Sequence, residues 1–157
     1  MIVHLFVGTL DNYKLDSKGR LSVPTKWRER LGKDFYMVAV TVKGCKCITL
    51  YPTEEFEKTY ENMQRGTENQ KYETSKDFLR NAEEGSLDAQ GRFTLNQRIK
   101  ELALLSNDSE VIFEGNGKTI EIWNAEEFDK MQQTFDSSLG IYDLMDKVNS
   151  TDKTENS

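Results

Sequence analysis

Two short stretches carry the residue types most able to do chemistry: Asp16-Ser17-Lys18-Gly19-Arg20 and Asp88-Ala89-Gln90-Gly91-Arg92. They lie 72 positions apart, and a leucine precedes each, Leu15 and Leu87. Two aspartates brought together across an internal axis could share a proton, as aspartic dyads do. That chemistry needs apolar surroundings that raise a carboxyl pKa, and here each aspartate is followed by a turn glycine and an arginine. Arginine and lysine on tight turns suit a different task, since they contact phosphates and an arginine fork grips a guanine edge bidentately. A third reading is local: each arginine pairs with its own aspartate and braces the turn, leaving Lys18 and the glycine N–H for a phosphate.

Other chemistry finds little support. His4 is the only histidine, so a histidine-dependent triad is not expected, and neither G-x-x-x-x-G-K-[ST] nor G-x-G-x-x-G occurs. Cys45 and Cys47 form a C-x-C pair, whereas tetrahedral zinc takes four ligands, so a site from one chain is not expected. They read as two side chains on one face of a strand, with a site shared between subunits as the alternative. The sequence therefore predicts no enzyme, no metal, no cofactor and no small-molecule substrate.

The elements that must position the two motifs repeat with them. Leu15, Asp16, Gly19, Arg20 and Glu29 match Leu87, Asp88, Gly91, Arg92 and Glu101 without a gap. Further on, Lys46, Ile48, Glu54, Glu55, Phe56 and Lys58 match Lys118, Ile120, Glu126, Glu127, Phe128 and Lys130. Each copy opens on an Asp-initiated turn whose glycine takes positive φ. A short strand follows, with Leu21 and Val23 facing away from Arg20 and Ser22, and Phe93 and Leu95 facing away from Arg92 and Thr94. A helix comes next. Pro24 suits its first position and Gly32 its stop, with Trp27 and Leu31 inward, while in copy two Asn96 caps a helix whose stripe is Ile99, Leu102 and Ala103.

Two strands, "FYMVAV" and "CITLYP" or "EVIFEG" and "TIEIW", then join through turns at "GCK" and "GNGK". A second helix closes each copy, "TEEFEKTYENM" with Phe56, Tyr60 and Met63 on one face, and "AEEFDKMQQTF" with Phe128 and Phe135. Between the copies a helix is expected over 71–82. The expected organisation is a first repeat over 1–62, a linker helix over 63–84, a second repeat over 85–135 and a flexible tail over 136–157. One such unit cannot bury its apolar face alone. Two can, giving a mixed α+β, β-rich domain with a pseudo-two-fold axis.

Charge is segregated along the chain. The net charge is −6, yet 14–33 carries +5 and 106–142 carries −6. The overall acidity hides a basic end suited to a polyanion. No apolar run approaches the roughly 18 residues of a membrane span, and the first residues do not read as a signal peptide, so a soluble cytoplasmic protein is expected.

The stretches "FVGTLDNYKLDSKGRLSVPTKWRERLG", "CITLYPTEEFEK" and "SLDAQGRFTLNQRIKELALLSNDSEVIFEGNGKTIEIWNAEEFDK" together resemble the MraZ family of bacterial transcriptional regulators. The resemblance runs from about Phe6 to Met131. It implies two AbrB-like swapped-hairpin repeats and a homo-oligomeric ring of about eight subunits. It also implies nucleoid association and binding to double-stranded DNA at short direct repeats in the promoter of the protein's own operon, within the division and cell-wall gene cluster. Carried onto this chain, the DNA-binding residues are Lys18, Gly19, Arg20, Gln90, Gly91 and Arg92, with Asp16 and Asp88 orienting the loops. Asn96 stands where many second repeats carry proline. Gln90 stands where Lys18 does in copy one, so copy one is expected to bind phosphate more strongly. The alternatives are a ring that binds only protein partners and an AbrB-fold antitoxin.

Overall fold

The computed structural model describes residues 5–134 and Met145. The first half runs Thr9–Lys14 (β1), Arg20–Ser22 (β2), Thr25–Leu31 (α1), Asp34–Val42 (β3), Cys45–Pro52 (β4) and Thr53–Met63 (α2). Glu68–Arg80 (α3) leads into the second half: Ala82–Ser86 (β5), Arg92–Thr94 (β6), Gln97–Leu102 (α4), Glu110–Gly115 (β7), Ile120–Asn124 (β8) and Ala125–Gln133 (α5). The fold is α+β, with an antiparallel six-stranded sheet in the order β1-β7-β8-β4-β3-β5 and a separate β2-β6 ribbon.

That order is a strand exchange. β1 of the first half pairs with β7 of the second, and β5 of the second half pairs with β3 of the first. β4 and β8 meet at the centre through Ile48↔Ile122 and Leu50↔Ile120, which places the pseudo-two-fold axis between them. Neither half completes its own sheet, so the two repeats fold as one cooperative body. One sheet face, with the ribbon, α1 and α4, encloses a core in which Leu15, Leu31, Phe35, Ile48, Ile99, Phe113 and Ile120 are buried. The other face carries α2 with α3 over Tyr36, Val38 and Tyr51, and α5 over Cys45, Cys47 and Trp123.

Several local expectations shift, for physical reasons. The helix expected over 71–82 starts at Glu68 instead, because Thr67 and Gln70 form a reciprocal capping box at 3.2 Å and 3.0 Å. It ends by Arg80, and residues 82–84, expected within the linker helix, open strand β5. β1 and β5 are both polar and carry no alternating apolar signature; their pairing partner, not their composition, makes them strands. Pro24 precedes the first helical residue rather than occupying it. In α4, Ile99 and Ala103 are buried but Leu102 is exposed. In α5, Met131 is buried where the expected stripe passed through Gln132, and Phe135 lies outside the described residues, as do His4 and, apart from Met145, the expected tail. The "GCK" turn is tighter than expected: Lys43 and Gly44, at φ 50° and 79°, make a two-residue hairpin, and Cys45 already pairs with Val42.

Candidate nucleic-acid interface

Both D-x-x-G-R turns fold the same way, because an aspartate at the start of a turn offers one oxygen to two backbone N–H donors and the other to the arginine side chain. Asp16 Oδ1 accepts from the Lys18 N–H at 2.9 Å and the Arg20 N–H at 2.8 Å, while Oδ2 accepts from Arg20 Nε at 2.7 Å. Asp88 repeats this with Gln90 N at 2.9 Å, Arg92 N at 2.9 Å and Arg92 Nε at 2.9 Å. Gly19 and Gly91 sit at φ 75° and 76°, a region costly for any residue with a Cβ. The hydrogen bonds to the arginine N–H, with those to the side chain and to the next turn residue, hold both carboxyls below the usual aspartate range.

The glycine N–H groups are not available to a phosphate. Gly19 N–H donates to Asp16 O and Gly91 N–H to Asp88 O, both at 3.0 Å. The glycines are needed for close approach inside the protein instead. A Cβ on Gly19 would lie 3.2 Å from the Leu95 carbonyl and 3.4 Å from Lys100 Nζ, and one on Gly91 would collide with the Arg28 guanidinium. The local pairing of arginine with aspartate is what the structure contains, and it fixes only Nε. The two Nη groups of Arg20 make no hydrogen bond among the described residues, so their donors are left over from the pairing with its own carboxylate.

The ribbon sets the two turns in a common frame. Arg20 stands opposite Thr94 and Ser22 opposite Arg92, while Leu21 and Phe93 face each other into the core. Arg20 and Arg92 are therefore diagonal neighbours on one outward face, about 7–8 Å apart at the backbone. Both side chains are 30% exposed. Leu95 N–H donates to Gly19 O at 2.9 Å and Val23 N–H to Gly91 O at 3.0 Å, so each turn is tied to the other half's strand exit.

The turns differ at one side chain. Among the described residues the Lys18 ammonium has no partner, whereas Gln90 Oε1 accepts from Arg92 Nη2 at 3.3 Å. Copy two thus loses a cation and has part of its arginine fork occupied. Each aspartate serves its own arginine and neither carboxyl is raised, the reverse of what a proton-sharing dyad requires.

Some of the basic segment is structural. Arg30 Nη1 donates to Leu5 O at 2.5 Å with its guanidinium over Phe6, and Lys26 lies over Trp27. Cys45 and Cys47 lie on one face of β4 as expected, both buried; burial, with Glu121 and Glu114 nearby, pushes the Cys47 thiol far up. Among the described residues no group of three or more His, Cys, Asp or Glu is placed to hold a metal, and no helix is long and apolar enough to cross a membrane. Sequence reasoning singled out neither Arg28 nor Lys100 as part of the turns. Their common offset of 72 was the available signal.

Two turn–strand–helix copies that exchange strands across one sheet and show paired arginine turns on one ribbon define a tandem swapped-hairpin α+β protein. The family model described as "MraZ protein, putative antitoxin-like" matches residues 5–79 and 78–141. The chain is 36% identical over 138 residues to the transcriptional regulator MraZ of Natranaerobius thermophilus, covering 86% of this chain and 92% of that one. It is 33% identical over 143 residues to that of Finegoldia magna, covering 89% and 94%, and 34% identical over 139 residues to that of Mycobacterium avium, covering 86% and 92%. The chain belongs to the MraZ family.

Proposed function

We propose that this protein is a transcriptional regulator that binds double-stranded DNA sequence-specifically. Its target is a set of short repeats in the promoter of its own operon, within the division and cell-wall gene cluster. It acts as a homo-oligomeric ring of about eight subunits, so that several loops of modest affinity engage adjacent repeats together. The observation that carries this reading is the pair of D-x-x-G-R turns on one ribbon face, each with Nε held by its aspartate. A guanidinium fixed in this way loses little side-chain freedom on binding, and its remaining edge suits a phosphate or a guanine. Arg20 anchors or reads the repeat, Lys18 neutralises phosphate, and Arg92 with Gln90 forms the second, weaker contact. Asp16 and Asp88 orient the arginines, and Gly19 and Gly91 permit the turn.

The test is fluorescence anisotropy with the upstream region of the protein's operon beside a scrambled duplex of equal length. The reading predicts tighter binding to the native region and affinity that falls steeply with salt, through counterion release. Equal affinity for both duplexes, or salt-insensitive capture of a protein partner with no DNA binding, would favour a protein-binding ring instead.

A further inference from the structure

Turn two lacks the lysine of turn one, but it does not lack a cation. Arg28 on α1 and Lys100 on α4 are equivalent by the 72-residue offset, and each reaches across the pseudo-axis to the other half's turn. Their fates differ. Lys100 is only 9% exposed, and its ammonium donates to Asn107 Oδ1 at 2.9 Å, with Asn107 Nδ2 in turn donating to Ser17 O at 3.0 Å. That lysine is consumed in holding turn one. Arg28 is half-buried and commits only Nε, to the Val23 carbonyl at 2.8 Å. Its guanidinium packs over Gly91, and its Nη groups make no hydrogen bond or ion pair among the described residues.

An open notch lies at this point, with Arg28, Glu29 and Lys33 on one wall and the 87–91 turn on the other. Two carboxylates border it. Asp88 is already committed to Arg92, and Glu29 is exposed and unpaired among the described residues. Among the described residues, turn one therefore has Lys18 as an uncommitted cation besides its motif arginine, and turn two is bordered by two from the first repeat: Lys33 on the notch wall, and Arg28, whose guanidinium packs on Gly91 itself.

We propose that Arg28 supplies the DNA-phosphate contact of the second turn, in the place that Lys18 occupies at the first. The proposal rests on the DNA-binding reading above and adds a residue to that site. It also narrows the expected imbalance between the copies, because the cation lost at Gln90 is recovered from α1, although Gln90 still occupies part of the Arg92 fork.

The experiment measures how log Kobs for the operon duplex varies with log salt. Arg28→Gln keeps a donor for Val23 O but removes the charge, and it should lower the slope by about 0.9 for each engaged chain. Counterion release alone then weakens binding roughly fivefold per engaged chain near 0.15 M salt. Adding Gln90→Lys in that background restores a cation within the turn and should recover the slope; Arg28→Lys should keep it. A folded Arg28→Gln protein with an unchanged slope overturns the proposal. So does a loss that Gln90→Lys fails to rescue and Arg28→Lys shares, since that pattern marks a structural prop. Should Arg28→Gln fail to fold, phenylglyoxal modification of the wild type decides: Arg28 is shielded by the duplex if it contacts phosphate, and equal labelling with and without DNA overturns the proposal. A wild type with no affinity for the duplex overturns the DNA reading itself, and this assignment with it.

Discussion

The two halves agree closely at the turns and part company on the far face of the sheet. At the turns, six hydrogen bonds recur at equivalent atoms, and the two glycines differ by 1° in φ. On the far face, α2 and α3 cover an aromatic cluster in which Phe56 stacks on Tyr36 at 3.9 Å and on Phe78 at 4.8 Å. Under α5 the equivalent ground holds Trp123, Phe128, Met131 and two thiols, beside the cross-strand pair Glu114 and Glu121. A turn geometry narrows residue type at each position, because Asp accepts the turn's donors, Gly takes its positive φ without strain and Arg completes the ion pair. A packed face fixes only total volume and polarity, so the two copies have filled it differently.

The largest effect that would sharpen this contrast is on stability. Trp123 is fully buried and Phe56 is 7% exposed, so Trp123→Ala should cost about 4–5 kcal/mol and Phe56→Ala about 3 kcal/mol. Urea denaturation reads both, and equal costs would mean the two faces are energetically alike. Next in size are the turns. Both Gly91→Ala and Gly19→Ala bring the positive-φ penalty, but Gly91→Ala adds a collision that Arg28 relieves only by leaving the Val23 carbonyl, whereas Gly19→Ala adds only a tight carbonyl contact. The first should cost roughly 3 kcal/mol and the second roughly 1–2 kcal/mol, measured the same way. The reverse order would break the view that the two turns differ through the cation each receives.

The smallest effect separates the halves by pH. Burial pushes Glu121 above the ordinary glutamate range, although the Trp123 indole and Glu114 pull it back; burial and Glu121 push Glu114 up as well. The native state thus holds a proton that the unfolded chain has released, and stability falls as pH rises from 4.5 through the raised value. Glu121→Gln removes that loss and can still accept from Trp123. It should stabilise by roughly 0.5 kcal/mol at pH 7, discounted for partial exposure, with the advantage gone below about pH 4.5. Thermal melts at both pH values check this. The first half has no matching carboxylate pair, since Val42 and Thr49 stand at the offset-equivalent positions.

Features fixed by local chemistry could be read from the sequence. The Asp and Gly of each turn, the inward Leu21 and Phe93, the Asn96 cap and the Gly32 stop all act within a few residues of themselves. β1 and β5 escaped because "TLDNYK" and "AEEGS" are strands by virtue of a partner about 100 and 48 residues away, respectively, in pairs such as Thr9↔Glu114 and Phe35↔Gly85. The roles of Arg28 and Lys100 escaped for a related reason. Each acts on the other repeat's turn, and only the strand exchange brings them there. The glycine N–H groups, expected to be open to a phosphate, are closed because the turn's own carbonyl takes them.

The central claim is that the two turns form one DNA-facing surface within each chain. Anisotropy titrations of Arg20→Ala, Arg92→Ala and the double variant against the operon duplex test it most directly, with near-UV circular dichroism and solution mass confirming fold and assembly. Each single substitution should weaken binding at least tenfold, about 1.4 kcal/mol, and the double should reduce it to the level of the scrambled duplex. A folded, assembled double variant that binds the operon duplex as tightly as the wild type would contradict the account.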